Sequence, residues 1–280
     1  MTGRRIRLLL AAAGGALVLG LLPLTSSSAA TPAAPRTGPI VAVNASQSNN
    51  WSGYDLGSET PGRGAFHSIT GTWVVPTASP HKDRESEFSS SWIGIGGGCV
   101  NADCSKTDST LIQAGTEQDV HYDPIGGSAP EYSAWYELIP NASVTVPLEV
   151  HAGDRMTVDI HETAIGSQHW SVSIRDVTTH QSFAVEVDYQ STYATAEWIV
   201  EAPTVVALGV PPTLGFAPIP DLSPVHFTAL TANGRGAGLR GDDEVLLVDL
   251  FGSATATPSA PNATKSGFDD CTYAATCRTR

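Results

Sequence analysis

The 280-residue chain carries 15 basic and 28 acidic side chains, a formal charge of −13. Without Arg4, Arg5 and Arg7, which lie in a removable N-terminal segment, 12 basic residues stand against 28 acids, a balance that argues against nucleic acid or an anionic membrane as partner. The acids lose charge at low pH, so no large positive charge builds up there, which is compatible with work in an acidic medium.

Residues 1–30 read as a signal peptide. Three arginines precede an apolar stretch from Leu8 to Leu24, and Ser28 and Ala30 offer a small-x-small cleavage site. A membrane anchor is the alternative, and the stretch is marginal for it, since roughly 20 residues span a bilayer. The expected product is secreted, extracellular and not stably membrane-associated. Residues 31–48 are rich in Ala, Pro and Thr and read as a linker or pro-segment. Residues 49–280 form one expected domain.

Helical periodicity is nearly absent. Short alternating β-branched and aromatic runs are broken by Gly, Pro, Asn and Asp. Strands are predicted at Trp51–Leu56, Ala65–Val75, Ser89–Ile95, Thr110–Glu117, Glu131–Leu138, Arg155–Glu162, His169–Arg175, Ser182–Val187, Thr195–Val200, Val225–Ala232 and Glu244–Phe251. The glycine-rich run Gly94–Gly98 precedes no helix, so it is not a phosphate cradle. Leu208–Pro224 is predicted as an extended loop at a sandwich end. Beyond Gly252 the composition alone reads as a disordered tail, with room for one last strand at Phe268–Tyr273. This pattern implies an all-β domain of two packed sheets or a barrel. Its bent sheets would leave a concave face suited to an extended peptide or glycan.

Four cysteines fit an oxidising compartment. Three connectivities are open, and proximity favours Cys99–Cys104 and Cys271–Cys277. No histidine lies at ligand spacing from either pair, and the eight histidines form no H-x-x-x-H or H-x-H pattern, so no metal is expected. No G-x-S-x-G occurs, which leaves a serine triad unsupported.

Carboxylates and amides remain. Gln113 and Glu197 each sit in a strand-like run, Leu111–Glu117 and Tyr193–Val200. A carboxylate can take a proton from water while a carboxamide N–H steadies an oxyanion. An unperturbed glutamate titrates near ~4.3, poised for proton exchange in mild acid. The carboxamide has no titration of its own. A solvated strand face is the alternative for Glu197, but neither face of its run is plainly polar. Core packing is the alternative for the tryptophans.

Six motifs in order carry a family resemblance: Asn50-Trp51-Ser52-Gly53-Tyr54, Gly71-Thr72-Trp73-Val74-Val75-Pro76, Trp92-Ile93-Gly94-Ile95, Ile112-Gln113-Ala114-Gly115, Ala134-Trp135-Tyr136-Glu137 and Ala196-Glu197-Trp198-Ile199-Val200-Glu201. Together they resemble the eqolisins, glutamic peptidases of family G1, in a bacterial-type form. The resemblance implies a sandwich of two large curved antiparallel sheets, concanavalin A-like or glucanase-like. It also implies an acid endopeptidase that needs no cofactor and acts on polypeptides; a monomer is expected. The catalytic pair would fall on Gln113 and Glu197, groove tryptophans on Trp51 and Trp92, and a supporting acid on Glu137. Glu117 replaces an aspartate of the fungal members. Ile139 stands where an aromatic is expected, and Leu208–Pro224 matches poorly. A glycoside hydrolase using Glu137 and Glu197, or a glycan-binding module with tryptophan platforms, is the alternative.

Overall fold

The computed structural model describes residues 35–207 and 213–279. The expected signal peptide, residues 31–34 and part of the predicted 208–224 loop lie outside the described residues.

Thirteen strands of five or more residues build the domain. They are β1 Trp51–Gly57, β2 Ser68–Val74, β3 Ser90–Gly96, β4 Leu111–Asp123, β5 Gly127–Leu138, β6 Arg155–Glu162, β7 His169–Asp176, β8 Ser182–Asp188, β9 Thr195–Glu201, β10 Val225–Ala232, β11 Glu244–Val248, β12 Ala254–Pro258 and β13 Phe268–Thr272. The front sheet runs β11-β1-β9-β3-β4-β5. The back sheet runs β8-β7-β6-β2-β10. Every pairing in both is antiparallel. At one side β13 pairs with β10 and β12, and β12 pairs with β11, stitching the layers together. Among the described residues the only helix is a 3-10 turn at Gly241–Asp243, and no helix is long and apolar enough to cross a membrane.

The two sheets bury different patterns. Back-sheet strands β2 and β6 alternate between buried and more exposed positions. One face meets the core and the other meets solvent. Front-sheet strands β1, β3 and β9 are buried at every position. Their core-facing residues, such as Tyr54, Ile93, Ala196 and Trp198, pack against Trp73, Val158, Trp170 and Phe227 of the back sheet. Their opposite face carries Trp51, Asp55, Trp92, Thr195, Glu197 and Glu201. A covered polar face is unusual, because each buried polar group needs a partner.

All eleven predicted strands are present, with shifted ends. β4 and β5 run on into one long hairpin, extending six residues beyond Glu117 to Asp123. Ala65–His67 are not strand, and β11 stops at Val248 because residues 249–252 turn. Two expectations are corrected. The stretch after Gly252 is not a tail: Ala254–Pro258 forms β12, with Ala256 and Thr257 buried. The 208–224 region is not one loop, since Thr213–Phe216 pairs with Thr204–Ala207 and Asp221–Leu222 pairs with Ala78–Ser79. These strands were hidden because they are short, and their stability comes from pairing and burial rather than from their own residue pattern. The disulfides are Cys99–Cys104 and Cys271–Cys277.

Candidate active site

Five residues stand directly opposite one another on consecutive front strands: Asp55 on β1, Glu197 on β9, Gly94 on β3, Gln113 on β4 and Glu137 on β5. Directly paired residues point to the same face, so the row lies on the side away from the inter-sheet core. Glu197 and Gln113 are separated by the single strand that holds Gly94. With strands about 4.8 Å apart, their backbones lie about 10 Å apart, and their side chains can converge over the glycine. A Cβ at residue 94 would lie 2.8 Å from Glu197 Oε1 and 2.9 Å from Leu111 Cδ1. Glycine is therefore what leaves space between the two groups.

The next rows carry the rest. Trp92 and Trp135 share one row with Gly53, Ile199 and Gly115. Trp51, Glu201, Ser90, Glu117 and Ser133 share the following one. Trp51 and Trp92 meet edge to face with ring centroids 5.0 Å apart, and with Trp135, Leu111, Ile199 and Ile40 they form a second apolar cluster. Ile139 packs against it. The tryptophans thus divide: Trp73, Trp170 and Trp198 belong to the inter-sheet core, and Trp51, Trp92 and Trp135 to the opposite, covered face of the front sheet.

The N-terminal segment Pro35–Ile40 crosses this face. Arg36 exchanges two backbone hydrogen bonds with Thr204, at 2.9 and 2.7 Å. The Thr37 hydroxyl accepts from Gln113 Nε2 at 3.0 Å and donates to Glu137 Oε2. Gly38 N–H donates to Glu201 Oε1 at 3.1 Å, and Trp51 Nε1 donates to the Gly38 carbonyl at 3.0 Å. Asn50 Nδ2 donates to the Pro39 carbonyl at 3.0 Å, and Ile40 N–H to the Gly97 carbonyl at 2.8 Å. This strap explains why a polar face is buried. A cavity of about 430 Å³ opens elsewhere, lined by His81, Phe216, Leu247 and Tyr273 among others, away from the Glu197 row.

Gln113 is fully buried. Its amide is turned so that Nε2 reaches two acceptors, Thr37 and, at 2.8 Å, Glu137 Oε2. Its Oε1 has no hydrogen-bond partner within the protein. Glu137 therefore anchors one amide N–H while the other faces the strap. Burial pushes the Glu137 carboxyl up to about 7, although Thr37 and Gln113 both pull it down.

Glu197 is 0 % exposed, and neither carboxylate oxygen has a hydrogen-bond partner. The sequence suggested a partly sheltered group titrating near its ordinary value. Burial, followed by the facing Asp55, instead raises its proton affinity well above the usual range, and the nearby Thr195 hydroxyl offsets part of this without meeting hydrogen-bond geometry. An orphaned buried carboxyl costs stability on the order of 1–3 kcal/mol or more, so its presence calls for a functional explanation. Asp55 is buried too and is pushed up to about 7 by desolvation, while the Cys99 N–H, donating at 2.5 Å to Oδ2, opposes the shift. The Cys99–Cys104 loop thus sits against the carboxyl that faces Glu197.

Glu201 is also buried and raised well above its usual range by desolvation, despite accepting from Gly38, from Asn50 at 3.4 Å and from Trp92 Nε1 at 2.8 Å. Glu117 lies two rows from the pair, accepts from Ser133 at 2.8 Å and is raised by burial. All six expected site residues thus share one face. Sequence reading missed Asp55, Gly94 and Trp135 as members of it, and set Glu201 on the Glu197 face without giving it a role. Their signal was period-two spacing: 55 from 51, 94 from 92, 135 from 137, and 201 from 197. Among the described residues no group of histidines, cysteines and carboxylates is arranged to hold a metal.

An antiparallel sandwich thus carries, on the face away from its core, a buried carboxyl without a hydrogen-bond partner and a carboxamide on either side of a glycine. The family model described as the Peptidase A4 family matches residues 49–265, so the chain belongs to that family, the eqolisins, and is a glutamic peptidase. Solved structures agree in fold. Scytalido-glutamic peptidase, in a crystal structure with a transition state analog inhibitor, is 20 % identical over 80 % of this chain and 98 % of its own, with a TM-score of 0.58. SCP-B, an eqolisin in complex with the tripeptide Ala-Ile-His, has the same identity and coverage and a TM-score of 0.56. No curated protein sequence matches.

Proposed function

We propose that this protein is an exported acid endopeptidase in which Glu197 activates water and Gln113 holds the oxyanion. The observation that carries the reading is the pair itself, a buried Glu197 and Gln113 flanking Gly94 on one sheet face. Amide hydrolysis by water needs a base, an oxyanion donor and an acid for the leaving amine. Glu197 takes a proton from water as it adds to the carbonyl carbon, then returns it to the amine nitrogen as the C–N bond breaks. Gln113 Nε2 is the donor. Its 3.0 Å approach to the Thr37 oxygen lies within the 2.7–3.1 Å range expected for an oxyanion contact. Glu137 holds the amide in place through the second N–H.

The high proton affinity of Glu197 has two consequences. It makes the carboxylate a stronger base, and it keeps the acid form available for the leaving group. For the ionised form to come within reach, water must enter beside Glu197 and restore part of its solvation. Toward neutral pH, ionisation of Asp55 and Glu137, both raised to about 7, loads the groove with negative charge, so activity should fall. Trp51, Trp92 and Glu117 are assigned to substrate binding. Secretion as a monomer, with residues 31–48 as a linker or pro-segment, completes the reading.

The experiment is to incubate the purified chain with an unfolded protein in mild acid and, separately, with a β-glucan. Acid-dependent proteolysis that survives a chelator and vanishes in Glu197→Gln is the expected result. Glucan cleavage, or full inhibition by the chelator, would overturn it.

A further inference from the structure

Glu197 has a second carboxyl beside it. Asp55 on β1 stands directly opposite Glu197 on β9. Directly opposed Cβ atoms lie about 4.5–5.5 Å apart, so a proton can pass between the two carboxyls directly or across one water. The fold reserves room for Asp55. A Cβ at residue 98 would lie 2.2 Å from Asp55 Oδ1 and 2.5 Å from Oδ2, so Gly98 is what lets the carboxyl lie against that backbone. The Cys99 N–H donates to Oδ2 at 2.5 Å, and Oδ1 has no hydrogen-bond partner within the protein. Oδ1 is therefore the oxygen available to carry a proton.

Asp55 also borders a small cavity of about 20 Å³, lined by Thr60, Asn101, Asp242 and Asp243 among others. One water needs roughly 10–15 Å³ and two to four polar partners, and this cavity offers both. Glu197, Gln113 and Glu137 do not line it. Asp55 is thus the link between Glu197 and a polar space outside the groove. The charges facing the pair are carboxyls: Asp108 ahead of β4, Asp243 on the 3-10 turn, and Asp242 on the cavity wall. Arg63 and Arg240 lie on the Asp243 side, and Arg63 pairs with Asp243 at 2.7 Å rather than with Asp55. Two buried carboxyls this close resist ionising together. Burial holds Asp55 at about 7 and Glu197 well above its usual range, in keeping with this.

We propose that Asp55 and Glu197 hold one proton between them, that Asp55 keeps it while Glu197 acts as the base, and that the cavity beside Asp55 lets the pair exchange it with solvent while a peptide fills the groove. The inference rests on the peptidase reading above and adds to it a positioning residue that sets the charge of Glu197. The cycle balances. Glu197, as carboxylate, takes a proton from water as the new C–O bond forms and returns it to nitrogen as the C–N bond breaks. The Asp55 proton is still in place at the end. Its O–H donates toward the Glu197 carboxylate and keeps the base form available in acid, where a lone buried glutamate would be protonated.

The test uses the full chain and two readouts. The first needs no catalysis. Carbon-13 NMR of the chain labelled at its Asp and Glu carboxyls follows Asp55 and Glu197, assigned from Asp55→Asn and Glu197→Gln. The two signals should move together in two shared, widely separated steps, and Glu197 should titrate in a single step in Asp55→Asn. The second readout is the pH profile of kcat on a peptide substrate. Asp55→Ala removes the donor, so the acid limb should move up by at least about one pH unit, leaving about tenfold less of the base form in mild acid. KM should change little. Asp55→Asn keeps an acceptor for the Cys99 N–H and offers an N–H to Glu197, so its acid limb should stay near native. A merely structural role would lower the melting temperature of both variants and leave the acid limb in place. Circular dichroism checks folding. If Asp55→Ala misfolds, the titrations of the native chain and of Asp55→Asn decide. The proposal is overturned if Asp55 and Glu197 titrate independently. It is equally overturned if the acid limb of folded Asp55→Ala stays or moves down, which would make Asp55 no more than a neighbouring negative charge. Should Glu197→Gln keep its proteolytic activity, the peptidase reading falls, and the coupled titration still decides the shared proton.

Discussion

Gly94→Ala probes the geometry of the pair without altering any functional group. The added methyl would stand 2.8 Å from Glu197 Oε1, 2.9 Å from Leu111 Cδ1 and 3.0 Å from the Trp92 ring. All three contacts are shorter than ordinary van der Waals distance, and all three neighbours are fully buried. Relief must come from displacing the Glu197 carboxyl or from moving the strand. Overpacking of this kind costs about 1–3 kcal/mol. For a domain of this size each kcal/mol shifts the melting temperature by about 2–4 °C, so a loss of about 2–12 °C is expected. The larger effect falls on turnover, since a displacement near 1 Å at a reacting group costs about 10²-fold. The assay is kcat on a peptide substrate in mild acid beside a thermal melt, with the folded state checked by circular dichroism. Gly236→Ala, whose methyl meets nothing within 4 Å, is the control and should match the native protein. A folded Gly94→Ala with native kcat would refute the claim that this glycine spaces the proposed catalytic pair.

Other outcomes follow from the same geometry. Gln113→Ala should lower kcat by roughly 10²–10³ with little change in KM, as expected for loss of one oxyanion donor; near-native kcat measured in steady state would remove Gln113 from the mechanism. Glu197→Gln should abolish activity while raising the melting temperature at pH 7–8, because a buried, unpartnered ionisable group is replaced by a neutral isostere; a lower melting temperature would show that Glu197 is structural. Stability should fall as pH rises. Asp55, Glu137 and Asp270 are raised to about 7 and Asp119 to about 8, in each case chiefly by burial. The folded state therefore binds more protons than the unfolded chain, whose carboxyls titrate near 4. The stabilisation is fully present below about 4 and is lost as pH rises through about 7–8. Glu162, held at about 2 by hydrogen bonds from Tyr193, Gln168, Gly166 and His67 that outweigh its desolvation, works the other way: its stabilisation is present above about 4.5 and is lost as pH falls toward about 2. Melting curves from pH 3 to 8 should decline toward neutrality, and a rise would contradict the burial argument. Removing the Cys99–Cys104 bridge, which closes a separation of five residues, should cost about 2 kcal/mol and loosen the backbone N–H that restrains Asp55. Native stability in the Cys99→Ala/Cys104→Ala variant would refute this.

The sequence by itself determined which residues are strands and which share a face. Alternation put Gln113 in register with Gly115 and Glu117, and Glu197 with Ile199 and Glu201, because side-chain direction in a strand has a period of two residues. Turn residues marked most boundaries, and the spacing of the cysteines favoured the pairs that are bonded. Ala254–Pro258 could not be read this way, since its strand exists only through pairing with β11 and β13. Tertiary structure alone decided the neighbours across the sheet. Nothing in the local sequence of Glu197 says that Asp55, 142 positions earlier, is its partner. Nothing around Gln113 says that Thr37 and Glu137 take its two N–H bonds. Proton affinity follows from such neighbours and from burial, so Glu197, ordinary in sequence, becomes exceptional only when two sheets and a strap exclude water from it.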